Sequence, residues 1–298
     1  MPSFRSAKDQ AHHAVGQHIA LGESRHDDKG DGQVHSVGTA RSYTQALAGF
    51  TAFVQEHKLG DLKGATPDIA EAYLAERQEA GLAQKTLDLD RQALECHLQT
   101  SLERVTALKE TVLHTRSYTP DQVKEIAAHQ NERNALATEI AHAAGIRAHE
   151  LLTLRPAGEQ GASAHRTWNE DRFTGRTGER FTVAGKGGLV REVLIPGTLA
   201  TRLEATRFQG GPRPVTDRGV HYQSRYDIGG GKNWSTSFGR VSKTQLGWSN
   251  GAHGVRHSYV QERMDELQGR GFSRGDALAT VAQEVGHFAP STTEAYLR

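Results

Sequence analysis

The chain of 298 residues carries 36 Lys and Arg against 35 Asp and Glu, and a single cysteine. That length allows two domains, each with its own core; Cys96 alone excludes an intrachain disulfide framework, and no apolar run approaches the roughly eighteen residues of a membrane helix. Residues 1–115 hold 12 Lys and Arg against 16 Asp and Glu, leaving 24 against 19 for residues 116–298, a polarity that permits nucleic-acid binding without establishing it.

The N-terminus is polar and mixed in charge, unlike a signal peptide, so a soluble cytoplasmic protein is expected. Residues 1–34 read as a polar, mobile or loosely docked arm whose one apolar patch is Ile19–Leu21. His12, His13, His18, His26 and His35 do not have the spacing of a closed metal site and lack accompanying cysteines. Residues 35–114 read as a helical domain. Thr39 is expected to cap a helix with Tyr43, Leu47, Phe50 and Val54 at three- and four-residue steps. Thr66-Pro67 opens a second, turning Ile69, Tyr73 and Leu74 inward. A third is expected from Gln84 to Arg104 through Leu87, Leu94 and Leu98, with Cys96 as a small core residue. Lys85 and Arg91 near its start are candidate DNA contacts, with solvated surface charge as the alternative.

His114–Tyr118 reads as a linker to a second domain, 118–298, in which Thr119-Pro120-Asp121 restarts a helix. In AAGIRAHELLTLRP, residues 143–156, Gly145 is expected to end a helix. That puts Arg147 at or near the start of the next, where free backbone N–H groups favour an anion. Glu150, three residues on, can hold its guanidinium. The segment FTVAGKGGLVREVLIP, residues 181–196, alternates as strand, glycine turn and strand, with Lys186 at the tip; it is too short for a phosphate-binding P-loop. A helix is expected over 198–209, a loop over 210–235, and a helix from Ser235 to Leu246 that carries Arg240 and Lys243 as further candidate DNA contacts. In the last forty-eight residues, His253 and Arg256 stand three apart, on one helix face and able to grip one ligand together. A helix opened by Ser273 with Asp276 three later follows. Next come His287 after a glycine and Tyr296 after a short helix begun by Pro290.

The ordered set HxxRHS, GH and TxxxYL resembles the catalytic end of the tyrosine recombinases, the integrase family; upstream stand a Gly-x-Arg with an acid three residues on and a lysine on a β-hairpin. The resemblance implies a mainly α fold with a small β-hairpin or sheet. Its parts would be a helical, SAM-like core-binding domain at 35–114 and a mixed α+β catalytic domain at 118–298. It implies six catalytic residues, Arg147, Lys186, His253, Arg256, His287 and Tyr296, supported by Glu150. The expected partners are double-stranded DNA carrying a specific site, three further copies of the chain in a ring on two duplexes, and accessory DNA-bending proteins; neither metal nor other cofactor is expected. Integration or excision of a mobile element is the expected role, and resolution of chromosome dimers stays open. The chain ends two residues after Tyr296, where relatives often extend a tail onto the neighbouring subunit. Either another element makes that contact or the sequence is truncated.

The chemistry calls for these residue types. A phosphodiester is an anion, and the attack of a phenolate on it adds charge that two fixed guanidiniums can neutralise at every physiological pH. The departing 5′-oxygen needs a proton, and Lys186 on a flexible stem is the candidate donor. Tyr296, with a phenol pKa ordinarily near 10, needs a base or cations beside it, and would form a 3′-phosphotyrosine that a 5′-hydroxyl later reverses without ATP. Other readings remain at this point. A type IB topoisomerase uses similar residues, and an inactive DNA-binding protein could keep the scaffold. A His-rich metallohydrolase predicts that chelator abolishes activity. Singly, His253 reads as a cap, His287 and Tyr296 as core residues, Arg147–Glu150 as a surface helix pair and Lys186 as a solubilising turn residue.

Overall fold

The structure is a computed structural model that describes residues 6–21, 32–110 and 114–297, with Lys186 described in its backbone only. The chain divides into two compact units, Met1–Val112 and Leu113–Arg298.

In the first unit, α1 spans Ala7–Gly16, capped by Ser6, whose Oγ accepts from the Asp9 N–H. Ala11, Ala14 and Val15 are buried in one cluster with Leu47, Phe50, Val54, Tyr73, Leu74 and Leu94. The sequence led us to expect a loose arm here. The spacing of those small residues gives α1 an apolar face narrow enough to be overlooked among its histidines, yet wide enough to dock. Ala20 and His18 then pair through their backbones with Val34; His26 lies outside the described residues. Helix α2, Val37–Glu56, starts ahead of Thr39: Ser36 is the cap, its Oγ accepting from the Thr39 N–H at 3.0 Å. Helix α3, Pro67–Glu79, opens at Thr66 as expected. Helix α4, Gln84–Leu98, stops six residues before Arg104 because Gln99 turns left-handed, φ 51°, and the chain continues without helix, burying Leu102.

The second unit begins with α5, Pro120–Ala128, held by a reciprocal Thr119–Gln122 capping box. Tyr118, placed in the linker by sequence, is 2 % exposed and anchored, its N–H donating to Ser258 Oγ at 2.8 Å. Helix α6, Glu132–Ala144, ends at left-handed Gly145 (φ 60°). A single 3-10 turn over Glu150–Thr153 follows, then β1 (Arg155–Pro156), β2 (Glu179–Ala184) and β3 (Val190–Ile195), an antiparallel sheet in that order. Helix α7 is Gly197–Ala205. Within 210–235, expected to be loop, the chain forms a hairpin of β4 (Arg213–Asp217) and β5 (Val220–Ser224). Arg218 and Gly219 both have positive φ, 51° and 80°, the two-residue turn that suits hairpin twist; an arginine in place of the usual Asn or Asp hid it. Helix α8, Gly231–Leu246, begins four residues before Ser235. Helices α9 (Gly254–Gly269), α10 (Arg274–Glu284) and α11 (Pro290–Glu294) complete the unit. No described helix is long and apolar enough to cross a membrane.

Candidate active site

The site gathers around Glu150, which is 0 % exposed. Arg147 binds it twice, through its backbone N–H to Oε2 at 2.8 Å and through Nη1 to Oε1 at 2.6 Å. This is a buried anchor, so the surface-pair reading of Arg147–Glu150 does not hold. Burial alone would raise the Glu150 pKa; the charges of Arg191, Arg256 and Arg147 outweigh it and hold the carboxyl well below the usual carboxylate range.

Arg147 Nη2 lies 3.0 Å from His287 Nε2. A guanidinium only donates, so Nε2 accepts, and the His287 Nδ1–H is left to donate to Thr293 Oγ1 at 2.9 Å. That tautomer is the neutral one. Burial, then repulsion from Arg256 and Arg147, lowers the His287 pKa to about 3.

Arg256, in the first turn of α9, is 0 % exposed. Its Nη1 and Nη2 donate to the carbonyls of Gly145 and Val285, where α6 and α10 end, so it also sits at the negative ends of two helix dipoles. Glu150 Oε2 is 3.9 Å from Nη1. Burial first, then Arg147, lowers its pKa to about 9, which still leaves a cation at neutral pH. His253 precedes α9 and points to the nucleophile candidate instead: its Nε2 stands 3.1 Å from Tyr296 Oη. The two residues expected to grip one ligand from a shared helix face therefore face different partners in this structure. Although His253 is exposed as a whole residue, burial of its imidazole, then the Arg256 charge, lowers its pKa as well.

Tyr296 closes the site from the end of α11. Its ring centroid is 5.4 Å from that of His253, 5.5 Å from His287 and 4.5 Å from His257, and Arg256 Cζ is 5.7 Å from it. Lys186 opens a tight turn over Lys186–Gly188 at the β2–β3 tip, where Gly187 and Gly188 have φ of 73° and 77°; its side chain lies outside the described residues. The preceding Gly185 passes so close to Glu150 that a Cβ there would stand 3.2 Å from Oε1.

The structure thus brings five of the six expected side chains, and Glu150, to one place. Sequence reasoning missed two more. Arg191 on β3, 1 % exposed, donates Nη2 to Glu150 Oε2 at 2.7 Å. The signal for it was there, because a charged residue occupies the inward register shared with Val193 and Ile195. His257 is 7 % exposed, its Nδ1 finds no partner among the described residues, and burial, then Arg116, lowers its pKa to about 4. Among the candidate DNA contacts, Lys85 is exposed on α4, and Arg240 and Lys243 are exposed three apart on α8. Arg91 is instead tied to Glu95 at 2.6 Å.

The fold is similar to those of solved site-specific recombinases and integrases. The XerH site-specific recombinase, in a post-cleavage complex with a palindromic difH substrate, has 16 % identity and a TM-score of 0.55, over 97 % of this chain and 90 % of that one. A lambda integrase dimer bound to a COC′ core site gives 16 % and 0.55, over 99 % and 95 %. The Tn1549 transposon integrase with circular intermediate DNA gives 13 % and 0.51, over 98 % and 95 %. Residues 32–104 match the family model of the phage integrase N-terminal SAM-like domain. The match over residues 32–104 and the likeness of fold are what the chain shares with these proteins. No curated protein matches it in sequence.

Proposed function

We propose that this chain is a site-specific DNA recombinase that breaks and rejoins DNA through a 3′-phosphotyrosine link. One observation carries the reading: Tyr296 Oη lies 3.1 Å from a neutral imidazole, His253 Nε2, beside two guanidiniums that share the buried Glu150.

The scissile phosphate binds against Arg147 Nη2 and Arg256. Its negative charge raises the basicity of His253, which takes the phenol proton as Tyr296 Oη attacks phosphorus. The P–O bond to the 5′-oxygen breaks, and Lys186 gives that oxygen its proton. Arg147, Arg256 and His287 hold the non-bridging oxygens as charge builds on them. Attack by a second strand's 5′-hydroxyl reverses the sequence and releases Tyr296. The helical unit, residues 35–114, forms the other part of a clamp on duplex DNA. Four chains on two duplexes carry out the exchange, aided by DNA-bending proteins, in integration or excision of a mobile element. The XerH, lambda and Tn1549 proteins were each seen with DNA, which supports the choice of partner.

The test is covalent trapping on nicked duplexes taken from the DNA that flanks the gene. Wild type gives a protease-sensitive protein–DNA adduct and Tyr296→Phe gives none, with EDTA without direct effect. Absence of adduct on DNA that both proteins bind leaves a non-catalytic DNA-binding protein as the better reading, and relaxation of supercoils irrespective of sequence favours a topoisomerase.

A further inference from the structure

Arg191 is not among the six residues expected to do the chemistry, yet it is built into their support. Its side chain leaves β3 toward the interior, at the register position facing Val183. Nη2 takes Glu150 Oε2 at 2.7 Å, the same oxygen that accepts the Arg147 backbone N–H at 2.8 Å. The stem packs under Gly286, where a Cβ would meet Arg191 Cδ at 2.9 Å, so the backbone just ahead of His287 rests on this side chain. Nε and Nη1 have no partner among the described residues. A buried guanidinium with idle donors is costly, and a hydrocarbon of similar volume would fill the space more cheaply if packing were its only role.

The geometry points to Arg191 as a positioning residue that sets the phosphate grip without touching the phosphate. Holding Glu150 from the sheet side, it keeps the carboxylate from turning onto Arg256, whose Nη1 is 3.9 Å away. Glu150 in turn fixes the direction in which Arg147 presents Nη2, and the contact under Gly286 fixes the height of His287. Arg147, His287 and Glu150 are thus aligned from one residue. The inference rests on the reading of this centre as the one that cleaves a phosphodiester.

The experiment compares wild type, Arg191→Met and Arg191→Lys as full chains. It reads thermal unfolding, affinity for one nicked duplex, and the single-turnover rate of adduct formation at saturating DNA. A displacement of about 1 Å in the grip slows the chemical step by about 100-fold, so Arg191→Met is expected to bind the duplex as wild type does and to form adduct about 100-fold more slowly. Arg191→Lys, which keeps the charge and a donor, is expected to fold and to recover about tenfold of that loss. A folded Arg191→Met or Arg191→Lys that forms adduct at the wild-type rate overturns the proposal. So does a loss of DNA affinity that accounts for the whole defect. If wild type itself forms no adduct, the reading of the centre fails separately, and a crystal structure of the free Arg191→Met protein decides this inference. Arg147 and Arg256 unmoved would overturn it, whereas either one swung onto the vacated Glu150 Oε2 would support it.

Discussion

The second unit contains two fully buried carboxylates clasped by arginine, and they are built on opposite principles. Glu284 accepts two bonds from Arg263, at 2.9 and 2.8 Å, one from Tyr259 Oη at 2.8 Å and one from the Phe173 N–H at 2.8 Å. Arg263 continues to Glu266, which Arg176 holds through two bonds. There acids and bases alternate and donors are used. Glu150 faces three guanidiniums, one of them 3.9 Å away, and around it Arg191 Nε, Arg191 Nη1 and Arg256 Nε have no partner among the described residues. A buried carboxylate with matched partners is a structural joint; one with surplus cations is the floor of a receptor for another anion.

Breaking the matched joint should cost most. Glu284→Gln leaves Arg263, itself 0 % exposed, with Glu266 as its remaining charged partner and is expected to lower the unfolding free energy by about 3–5 kcal/mol, read by denaturant titration, while adduct formation per folded molecule changes little. The receptor should show the reverse pattern. Arg147→Ala leaves Glu150 still held by Arg191, so the fold survives, but adduct formation slows by about 10²–10³-fold, or about 2.7–4 kcal/mol. A stability loss as large as that of Glu284→Gln would erase the distinction. Acid sharpens the comparison further, because three imidazoles stand around Tyr296 at the receptor, whereas the bonds to Glu284 come from Arg263, Tyr259 and the Phe173 N–H. His257 and His287 have folded pKa values of about 4 and 3, below the ordinary 6.5. On acidification the unfolded chain takes up protons first, so the stability these groups allow is complete above about pH 6.5 and is lost as pH falls toward 4. His257→Asn should flatten that slope in a series of melting temperatures. The smallest effect lies outside both joints. Lys85→Ala or Arg240→Ala should weaken DNA binding alike on all sequences and reduce the salt slope by about one, whereas Arg91→Ala, already paired with Glu95, should do less.

The receptor was more legible in the sequence than its foundations. Arg147, His253, Arg256, His287 and Tyr296 stand in an order that needs no knowledge of packing, and Gly145 marked the helix end that the structure confirms. Arg191 was not found because both faces of β3 mix charge with apolar residues, Arg191 beside Val193 and Ile195 and Glu192 beside Val190 and Leu194, so its register becomes a signal only once packing tells which face is buried; Glu284 ends helix α10, where an acid reads as a solvated residue. The β4–β5 hairpin escaped because its turn takes Arg218 where propensity favours Asn or Asp. The early stop of α4 depends on one left-handed residue, Gln99, that no pattern announces. In α1 the docking face consists of alanines and one valine, too little apolar surface to stand out against the polar composition around it.

The bond between Tyr296 Oη and His253 Nε2 joins two residues of one chain. Under the proposed chemistry, each chain then owns its nucleophile and the groups that activate it. Two defective versions, one carrying Tyr296→Phe and the other Arg147→Ala, would fail to complement when mixed, because no pairing of them restores an intact set. Had the tyrosine been lent to a neighbour, the mixture would recover part of its activity. In a cell making both normal and Tyr296→Phe chains, poisoning would spread through shared assemblies and not through shared active sites.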